Sequence, residues 1–326
     1  MVRVKAPGVV KLFGEHAVVY GKPAIAMAID RFITVEAVKI SGGDVEIISR
    51  DLGVRGIYLR IIDGSVAEAK ILDNAYAARL ASYAYKAIEV TRRFLGVRDG
   101  VRLTITSELP VGAGLATSAA VAASTVAAYS RELGFELRKE EVAKLAHQVE
   151  VEVQGAASPM DTTTSTMGGL LYIKPGVEVR RIAAKLPIVV GVVERESTTG
   201  DLVARVRKLY GRHPGVISRI MDAIELLVNE ALDALARQDL ELVGELMNVN
   251  QGLLEALGVS NRRLMELIYG AREAGALGAK ISGAGGGGAV VALAPGVEDS
   301  VIRAFKAHGG VGFRANVWEE GLTYIQ

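Results

Sequence analysis

The residue types best suited to phosphate binding are concentrated in one short stretch of the chain. Gly112 and Gly114 follow a β-type run over residues 101–107, and Thr117 and Ser118 come next, at the start of an alanine-rich helical pattern. Glycine allows positive φ and a close approach of a ligand to the backbone, while a helix start offers unpaired N–H groups that typically bind an anion. The alternative is a plain helix cap by one of the two hydroxyls. A P-loop is excluded because no Gly-Lys-Ser/Thr sequence follows the glycines.

A second group of reactive side chains lies in an apolar N-terminal stretch. Lys11, Glu15 and His16 occur within residues 2–23, which are otherwise largely apolar and predict a strand followed by a turn. Because burying an unpaired charge is costly, these side chains need either a partner or a ligand. A surface turn with a local salt bridge is the alternative.

Two acidic residues in the middle of the chain are candidates for metal binding or proton transfer. Glu150 lies near the end of a helical pattern over residues 138–154, and Asp161 lies in a hydroxyl-rich segment that we predict to be a loop. Carboxylates bind hard cations and accept protons. The alternatives are a solvated carboxylate for Glu150 and a turn or cap role for Asp161.

Residues 283–288 match the glycine spacing of a dinucleotide-binding fingerprint, but their context does not. That fingerprint must leave a strand and open a helix, whereas here the apolar run 289–294 follows and predicts a strand. A glycine-rich turn between two strands lets another group approach the backbone closely. A flexible hairpin is the alternative.

Composition narrows the classes of protein that remain. The chain has 326 residues, enough for two domains, and half of them are apolar. A net charge of +1 gives no electrostatic case for nucleic acid or an anionic membrane, and the lack of cysteine excludes disulfides and zinc–sulfur sites. Neither a signal sequence nor an apolar run of membrane-spanning length is present. We therefore expect a cytoplasmic protein.

Periodicity predicts strands before the central motif and helices after it. Residues 68–95 are predicted as one long helix, and the second half is predicted to be helix-rich with strands near residues 188–193, 279–282 and 289–294. A composition change near residues 183–187 predicts a domain boundary.

Three stretches occur in an order that is similar to a family of small-molecule kinases, which includes galactokinase, homoserine kinase, mevalonate kinase and phosphomevalonate kinase. They are residues 7–16, 110–120 and 280–288. The middle motif of the family has a proline, three residues, Gly-Leu and then Ser-Ser. Here Thr117 replaces the first serine and keeps the hydroxyl. The mevalonate-phosphorylating members match best, because residues 14–21, the Asp161 segment and residues 197–199 resemble theirs.

This resemblance implies an α+β fold with two domains and the active site between them. Residues 1–184 would form an N-terminal ATP-binding and catalytic domain with a left-handed βαβ unit, and residues 185–326 a ferredoxin-like domain. It also implies ATP-dependent phosphorylation of mevalonate at its C5 hydroxyl. Phosphomevalonate, homoserine or a sugar as acceptor, or a non-catalytic ligand sensor, are the alternatives. Nucleic acid and membrane partners are not expected, and a homodimer is one expectation for the assembly.

The resemblance further implies which residues act. Asp161 is expected to accept or orient the proton of the attacking hydroxyl with Lys11 beside it, and Mg²⁺ is expected on Ser118 and Glu150. The family usually has a basic residue at the position of Val9, so Lys11, on the same strand face, is expected to replace it. The expected nucleotide-binding residues are Pro110, Gly112, Ala113, Gly114, Leu115, Ala116, Thr117 and Ser118. The expected substrate-binding residues are Asp161, Glu15, His16, Thr199, Gly283 and Ala284.

Overall fold

The computed structural model describes residues 1–49, 57–62, 65–71, 75–110, 112–155 and 157–325. Within these residues the chain forms two β-sheets. The strands of the first sheet are β1 (Val2–Phe13), β2 (Ala24–Ile40), β3 (Val45–Ser49), β4 (Ile57–Ile62), β5 (Ser65–Ile71), β6 (Gly100–Ser107), β7 (Leu170–Lys174), β8 (Glu178–Ile182) and β13 (Thr323–Ile325). Those of the second are β9 (Ile188–Val193), β10 (Gly278–Ser282), β11 (Gly288–Leu293) and β12 (Val311–Ala315).

Helices cover both sheets. They are α1 (Ala75–Leu95), α2 (Thr117–Glu132), α3 (Lys139–Gln154), α4 (Met160–Met167), α5 (Thr199–Arg212), α6 (Pro214–Ala236), α7 (Leu240–Ala256), α8 (Arg262–Glu273) and α9 (Glu298–Ala307). A turn of 3₁₀ helix spans Ala17–Tyr20. In the described part of the chain, none of these helices has the length and apolar character needed to cross a bilayer.

The first sheet has the order β13-β1-β2-β6-β3-β4-β5, and β7 joins β2 to β8. The long strand β2 pairs with β1, β6 and β7 along different parts of its length. Among the described strands the pairing of β3 with β6 is parallel, and the other pairs in this sheet are antiparallel. The end of the chain therefore returns to the first sheet, because β13 pairs with β1.

The second sheet is antiparallel, with the order β10-β11-β9-β12. Helices α5 to α8 connect β9 to β10, and α9 connects β11 to β12. This is the ferredoxin-like βαββαβ arrangement, with extra helices in the first connection. The two-sheet α+β organisation that we predicted is confirmed. The boundary at residue 184 and the handedness of the βαβ unit stay predictions.

Helix α2 fits against the first sheet because its buried face and flanks are made of small residues. It contacts β1 and β2 and lies beside α1 and α3. A helix that is apolar nearly all round is buried, and alanine lets it approach its neighbours closely. The fully buried alanines of this helix are Ala119, Ala120, Ala122, Ala123, Ala127 and Ala128. The position of the α2 N-terminus, where the central glycines lie, is therefore set by packing.

Two of our element predictions were wrong, each for a local reason. The predicted helix 68–95 begins only at Ala75, because residues 65–71 form β5 and pair with β4; residues 72–74 lie outside the described residues. Alanine, glutamate and lysine in that run favour a helix, but pairing with β4, which sets Glu68 opposite Arg60, overrides the propensity.

The segment that carries Asp161 is the helix α4 and not the predicted loop. Most of its hydroxyl side chains are buried. Thr162 Oγ1 donates to the nearby carbonyl of Pro159 at 3.2 Å, and Ser165 Oγ donates to the carbonyl of Pro7 in β1 at 2.7 Å. The hydroxyls of Thr164 and Thr166 have no hydrogen-bond partner among the described residues, so packing against the neighbouring elements, and not local hydrogen bonding alone, keeps this segment helical.

Two glycines of α7 provide a matched test of the packing that supports the second sheet. A Cβ on Gly244 would lie 2.6 Å from Leu277 Cβ and 2.7 Å from the Leu277 carbonyl carbon, whereas nothing lies within 4 Å of a Cβ on Gly252. We expect Gly244→Ala to lower the free energy of unfolding by about 2 kcal/mol. Gly252→Ala should raise it by about 0.5–1 kcal/mol. Urea unfolding measures both, and equal effects would contradict this account of the α7–β10 contact.

Candidate active site

The backbone of β1 joins the three loops that carry the sequence motifs. The amide of Val9 donates to the carbonyl of Leu115 at 2.9 Å, and the amide of Lys11 donates to Ser282 Oγ at 2.8 Å. From the other side, Ser165 Oγ of α4 donates to the carbonyl of Pro7 at 2.7 Å. These bonds bring the motifs together around one strand, although they are far apart in the sequence.

The Lys11 side chain lies in the cleft that these loops form, as we predicted from its position on the strand. Its ammonium nitrogen is 2.9 Å from Oδ1 of Asp161, and its side chain is 5% exposed while that of Asp161 is 25% exposed. Val9 belongs to a small apolar cluster that includes Ala116 and Met160, beside the same cleft. Lys11 therefore places a buried cation directly next to the one carboxylate of α4.

The α2 N-terminus faces the cleft without a side-chain cap. Ala116 at the N-cap has φ 58° and ψ 33°, a left-handed conformation, and no side chain accepts a hydrogen bond from the first turn. This excludes the plain cap that we kept as an alternative. Gly112, Ala113, Gly114, Ala116, Thr117 and Ser118 line the cleft. Leu115 is instead buried in the core, and Pro110 is not among the cleft-lining residues, so these two contribute to the loop rather than to its surface.

Ser118 and Glu150 form a hydrogen-bonded pair on the nucleotide side of the predicted site. Ser118 Oγ donates to Oε1 of Glu150 at 3.0 Å, and Glu150 is 4% exposed. Burial raises the pKa of Glu150 to about 8, and repulsion from Asp161 adds to the effect, while the Ser118 hydrogen bond acts against it. In the described part of the chain, Glu150 has no cationic side chain within salt-bridge distance.

Glu15 and His16 are held by the second sheet and the loop after it. Glu15 forms a buried ion pair with Lys280 of β10, and Nε2 of His16 donates to the carbonyl of Ala284 at 3.0 Å. Desolvation lowers the pKa of both Lys280 and His16. The second carboxylate oxygen of Glu15 has no hydrogen-bond partner in the described residues, and Glu15 lines the cleft.

The glycine-rich turn at residues 283–288 is wedged between other loops and is not a flexible hairpin. Gly287 has φ 98°, and a Cβ there would lie 2.3 Å from the carbonyl oxygen of Glu194. A Cβ on Gly288 would lie 2.9 Å from the carbonyl oxygen of Ala113, in the central motif. Only residues without a side chain permit these approaches. Strand β11 follows the turn, which confirms that it does not open a helix.

Several cleft residues were missed by the sequence reasoning. The cleft contains about 1220 Å³ of empty space and is lined by all the predicted residues except Pro110 and Leu115. Arg195 lies between two predicted groups: its Nη2 donates to Oγ1 of Thr199 at 3.2 Å, and a Cβ on Gly114 would lie 3.7 Å from its Nη1. Further unpredicted lining residues are Arg79, Leu80, Tyr83, Val203 and Ser282. Aromatic residues at helical spacing, as Tyr83 is in this helix, are typical of a core, and no signal in the sequence distinguishes Arg79 from an ordinary helix position.

The chain matches two family descriptions at the positions of these motifs. Residues 82–169 match "GHMP kinases N terminal domain", and residues 231–311 match "GHMP kinases C terminal". The fold and the cleft agree with this match, and the chain belongs to the GHMP kinases, a family of ATP-dependent small-molecule kinases.

Relatives that match over nearly the full chain include mevalonate kinases. That of Pyrococcus horikoshii is 46% identical over 329 residues, which cover 98% of this chain and 97% of the relative. The crystal structure of Methanococcus jannaschii mevalonate kinase matches with a TM-score of 0.80 and 29% identity, covering 97% of this chain and 98% of that one. L. major mevalonate kinase in complex with R-mevalonate matches with a TM-score of 0.80 and 28% identity, covering 97% and 96%.

The raised pKa of Glu150 predicts how the stability of the ligand-free protein depends on pH. Between about pH 5 and pH 8 the folded protein keeps a proton on Glu150 that the unfolded chain has lost. The free energy of unfolding should therefore fall as pH rises through this range, by up to about 1 kcal/mol per pH unit from this group. Glu150→Gln should remove that part of the slope, which urea unfolding at pH 5, 6.5 and 8 in a chelating buffer would measure.

Glu152→Gln is the matched control for this experiment. Glu152 lies two residues further along α3, and its side-chain hydrogen bond with Arg93 lowers its pKa, so its contribution is already complete at pH 5. Glu152→Gln should therefore change the free energy of unfolding by the same amount at all three pH values. Parallel curves for wild type and Glu150→Gln would contradict the assignment.

Proposed function

We propose that this chain transfers the γ-phosphoryl group of ATP to the C5 hydroxyl of mevalonate, giving 5-phosphomevalonate. The observation that carries the proposal is the Lys11–Asp161 ion pair, 2.9 Å between Nζ and Oδ1, in the same cleft as the uncapped start of α2. The full-length similarity to mevalonate kinases supports the choice of acceptor. Isoprenoid precursor synthesis is the corresponding metabolic role.

The start of α2 is the proposed site of the nucleotide phosphates. Its first N–H groups have no side-chain partner, and the helix dipole favours negative charge there. Gly112 and Gly114 have φ 70° and 73°, conformations that keep the loop backbone accessible to a ligand. Residues 283–288 hold this loop from the opposite side through the contact of Gly288 with Ala113.

Ser118 and Glu150 are the proposed protein ligands of Mg²⁺. Their oxygens suit a hard cation, and a buried carboxylate without a cationic partner is the kind of group that a divalent ion stabilises in its charged form. Among the described residues no cluster of three or more acidic or histidine side chains is present. Two protein ligands are typical of Mg²⁺ sites in which substrate phosphates and water supply the others. When bound, the ion neutralises charge on the phosphates.

Asp161 is the proposed acceptor of the proton on the attacking hydroxyl. The bond between the C5 oxygen and the γ-phosphorus forms, the bond from that phosphorus to the β,γ-bridging oxygen breaks, and the hydroxyl proton moves to the carboxylate. Lys11 lies against Asp161 and supplies positive charge where negative charge develops. Arg195, which contacts Thr199 and the Gly114 loop, adds a second cation to the same cleft.

The other end of the cleft is the proposed acceptor site. The unpartnered oxygen of Glu15 accepts a hydrogen bond from a substrate hydroxyl, while His16, Thr199, Gly283 and Ala284 complete the surface. His16 donates its Nε2 proton to Ala284, so its remaining ring nitrogen accepts. Cytoplasmic location and a homodimer both stay predictions.

A panel of acceptors tests the proposed function directly. Purified protein with ATP and Mg²⁺ should form ADP rapidly with mevalonate. We expect a kcat/KM at least about 100-fold lower with phosphomevalonate, homoserine or galactose, because a buried polar site discriminates against acceptors that leave its groups unpaired. Coupled detection of ADP and identification of the phosphorylated product measure this. Turnover with another acceptor but not with mevalonate would reject the assignment, and no turnover with any of them would favour a non-catalytic sensor.

Asp161→Asn should remove most turnover while retaining substrate binding. The amide keeps the size and a hydrogen bond but cannot take the proton, and loss of a general base typically lowers kcat by about 10² to 10⁴-fold. Steady-state kinetics and calorimetric binding of mevalonate separate the two effects. A variant that retains more than about a tenth of the wild-type kcat would rule out this role, provided that the chemical step limits the wild-type rate.

A further inference from the structure

Helix α1 contributes to the cleft two polar side chains that have no role in the proposed function. Arg79 and Tyr83 are four residues apart, so they lie on one face of the helix, and both line the cleft. The guanidinium carbon of Arg79 is 6.0 Å from the ring centroid of Tyr83. The partner helices of this face are α2 and α3, which carry Ser118 and Glu150.

The Tyr83 hydroxyl is an unsatisfied polar group in this place. Tyr83 is 0% exposed, and its hydroxyl has no hydrogen-bond partner among the described residues. Burial raises the pKa of Tyr83 and the charge of Glu150 adds to this, while Arg79 and Ser118, whose donor groups are near the Tyr83 oxygen, act against it. The hydroxyl therefore lies beside the Ser118–Glu150 pair. An orphaned buried hydroxyl is unfavourable and is rarely retained unless a second state of the protein satisfies it.

That second state follows from the donors and acceptors that are present. In the structure, the single proton of Ser118 Oγ is donated to Glu150. When Ser118 Oγ and Glu150 both turn their lone pairs to a cation, this internal hydrogen bond no longer holds the carboxylate. The hydroxyl of Tyr83, which lies beside this pair and donates a hydrogen bond to no described group, can take over this role. The tyrosine side chain has only two rotatable torsions, so the packing of its ring fixes the position of the hydroxyl oxygen.

We propose that Tyr83 is a positioning residue for the metal–nucleotide site, whose hydroxyl donates to the Ser118–Glu150 pair in the loaded state and holds Glu150 in its ligating orientation. This inference rests on the proposed function, because it takes Ser118 and Glu150 as the metal ligands. It assigns no contact between Tyr83 and the substrate.

The test compares Tyr83→Phe with wild type in the binding of Mn²⁺ and ADP, without any acceptor. Calorimetry with ADP in a chelating buffer should give the same affinity for both proteins. With Mn²⁺ present, we expect the variant to bind ADP about tenfold more weakly than wild type, the effect of losing one hydrogen bond to a charged group. Electron paramagnetic resonance, which counts bound Mn²⁺ ions, should show the same weakening. The melting temperature in the chelating buffer should be unchanged or higher, because the variant removes an unsatisfied hydroxyl.

Tyr85→Phe is the matched control, since Tyr85 is on the same helix, two residues further along, and does not line the cleft. It should bind Mn²⁺ and ADP like wild type. The inference would be overturned if Tyr83→Phe bound Mn²⁺ as tightly as wild type, or if a lower melting temperature accounted for its weaker Mn²⁺ binding. Neither result would affect the conclusion of the mevalonate assay. If wild type itself shows no Mn²⁺-dependent ADP binding, the metal role in the proposed function fails together with it.

A double-mutant cycle provides a second measurement. If Tyr83 acts through the pair, Tyr83→Phe should weaken Mn²⁺-dependent binding less in a Ser118→Ala background than in wild type. Equal fold-changes in the two backgrounds would mean that Tyr83 and Ser118 act independently, and would overturn the inference.

Discussion

Strand β1 between Pro7 and Lys11 is bonded through its backbone to three separate parts of the chain, and the active site depends on this arrangement. The carbonyl of Pro7 accepts a hydrogen bond from α4, the amide of Val9 donates to the central glycine loop, and the amide of Lys11 donates to the end of β10. Backbone groups of a buried strand must find partners, and here they find them in the motif loops rather than in a further strand. These hydrogen bonds thereby bring Lys11, the central glycine loop and α4 to one cleft.

Charged side chains are also buried around this strand, in apolar surroundings that do not favour them. Lys11 and Lys280 are each paired with a carboxylate, Asp161 and Glu15, so each burial cost is offset by an ion pair. Glu150 differs, because burial and the negative charge of Asp161 both disfavour its ionised form. Without ligands the site therefore carries one carboxylate that is unfavourable to ionise. Under the proposed function, a divalent cation accompanied by phosphates would relieve this imbalance.

Sequence reasoning located the site because glycine, hydroxyl and carboxylate residues are unusual in apolar sequence. Lys11, Ser118 and Asp161 were identified in this way, whereas Glu150 was identified from the resemblance, which also supplied the grouping of the four residues. It could not place Arg79 or Tyr83, since an aromatic and a basic residue at helical spacing are as typical of an ordinary amphipathic helix. Tertiary pairing also overrode helix propensity in β5, which no local pattern reports.

Backbone strain points to the same cleft independently of any motif. Three non-glycine residues with positive φ occur among the described residues, His16 (61°), Ala116 (58°) and Gln238 (56°), and the first two line the cleft. Such conformations cost about 1–3 kcal/mol each and persist only where the surrounding packing determines them. His16 is fixed by its bond to Ala284, and Ala116 by the burial of α2 behind it. His16 and Ala116 each lie at the N-cap of a helix beside the cleft, so packing already holds this part of the backbone in one conformation. A ligand that binds there would use less of its binding free energy to order the backbone.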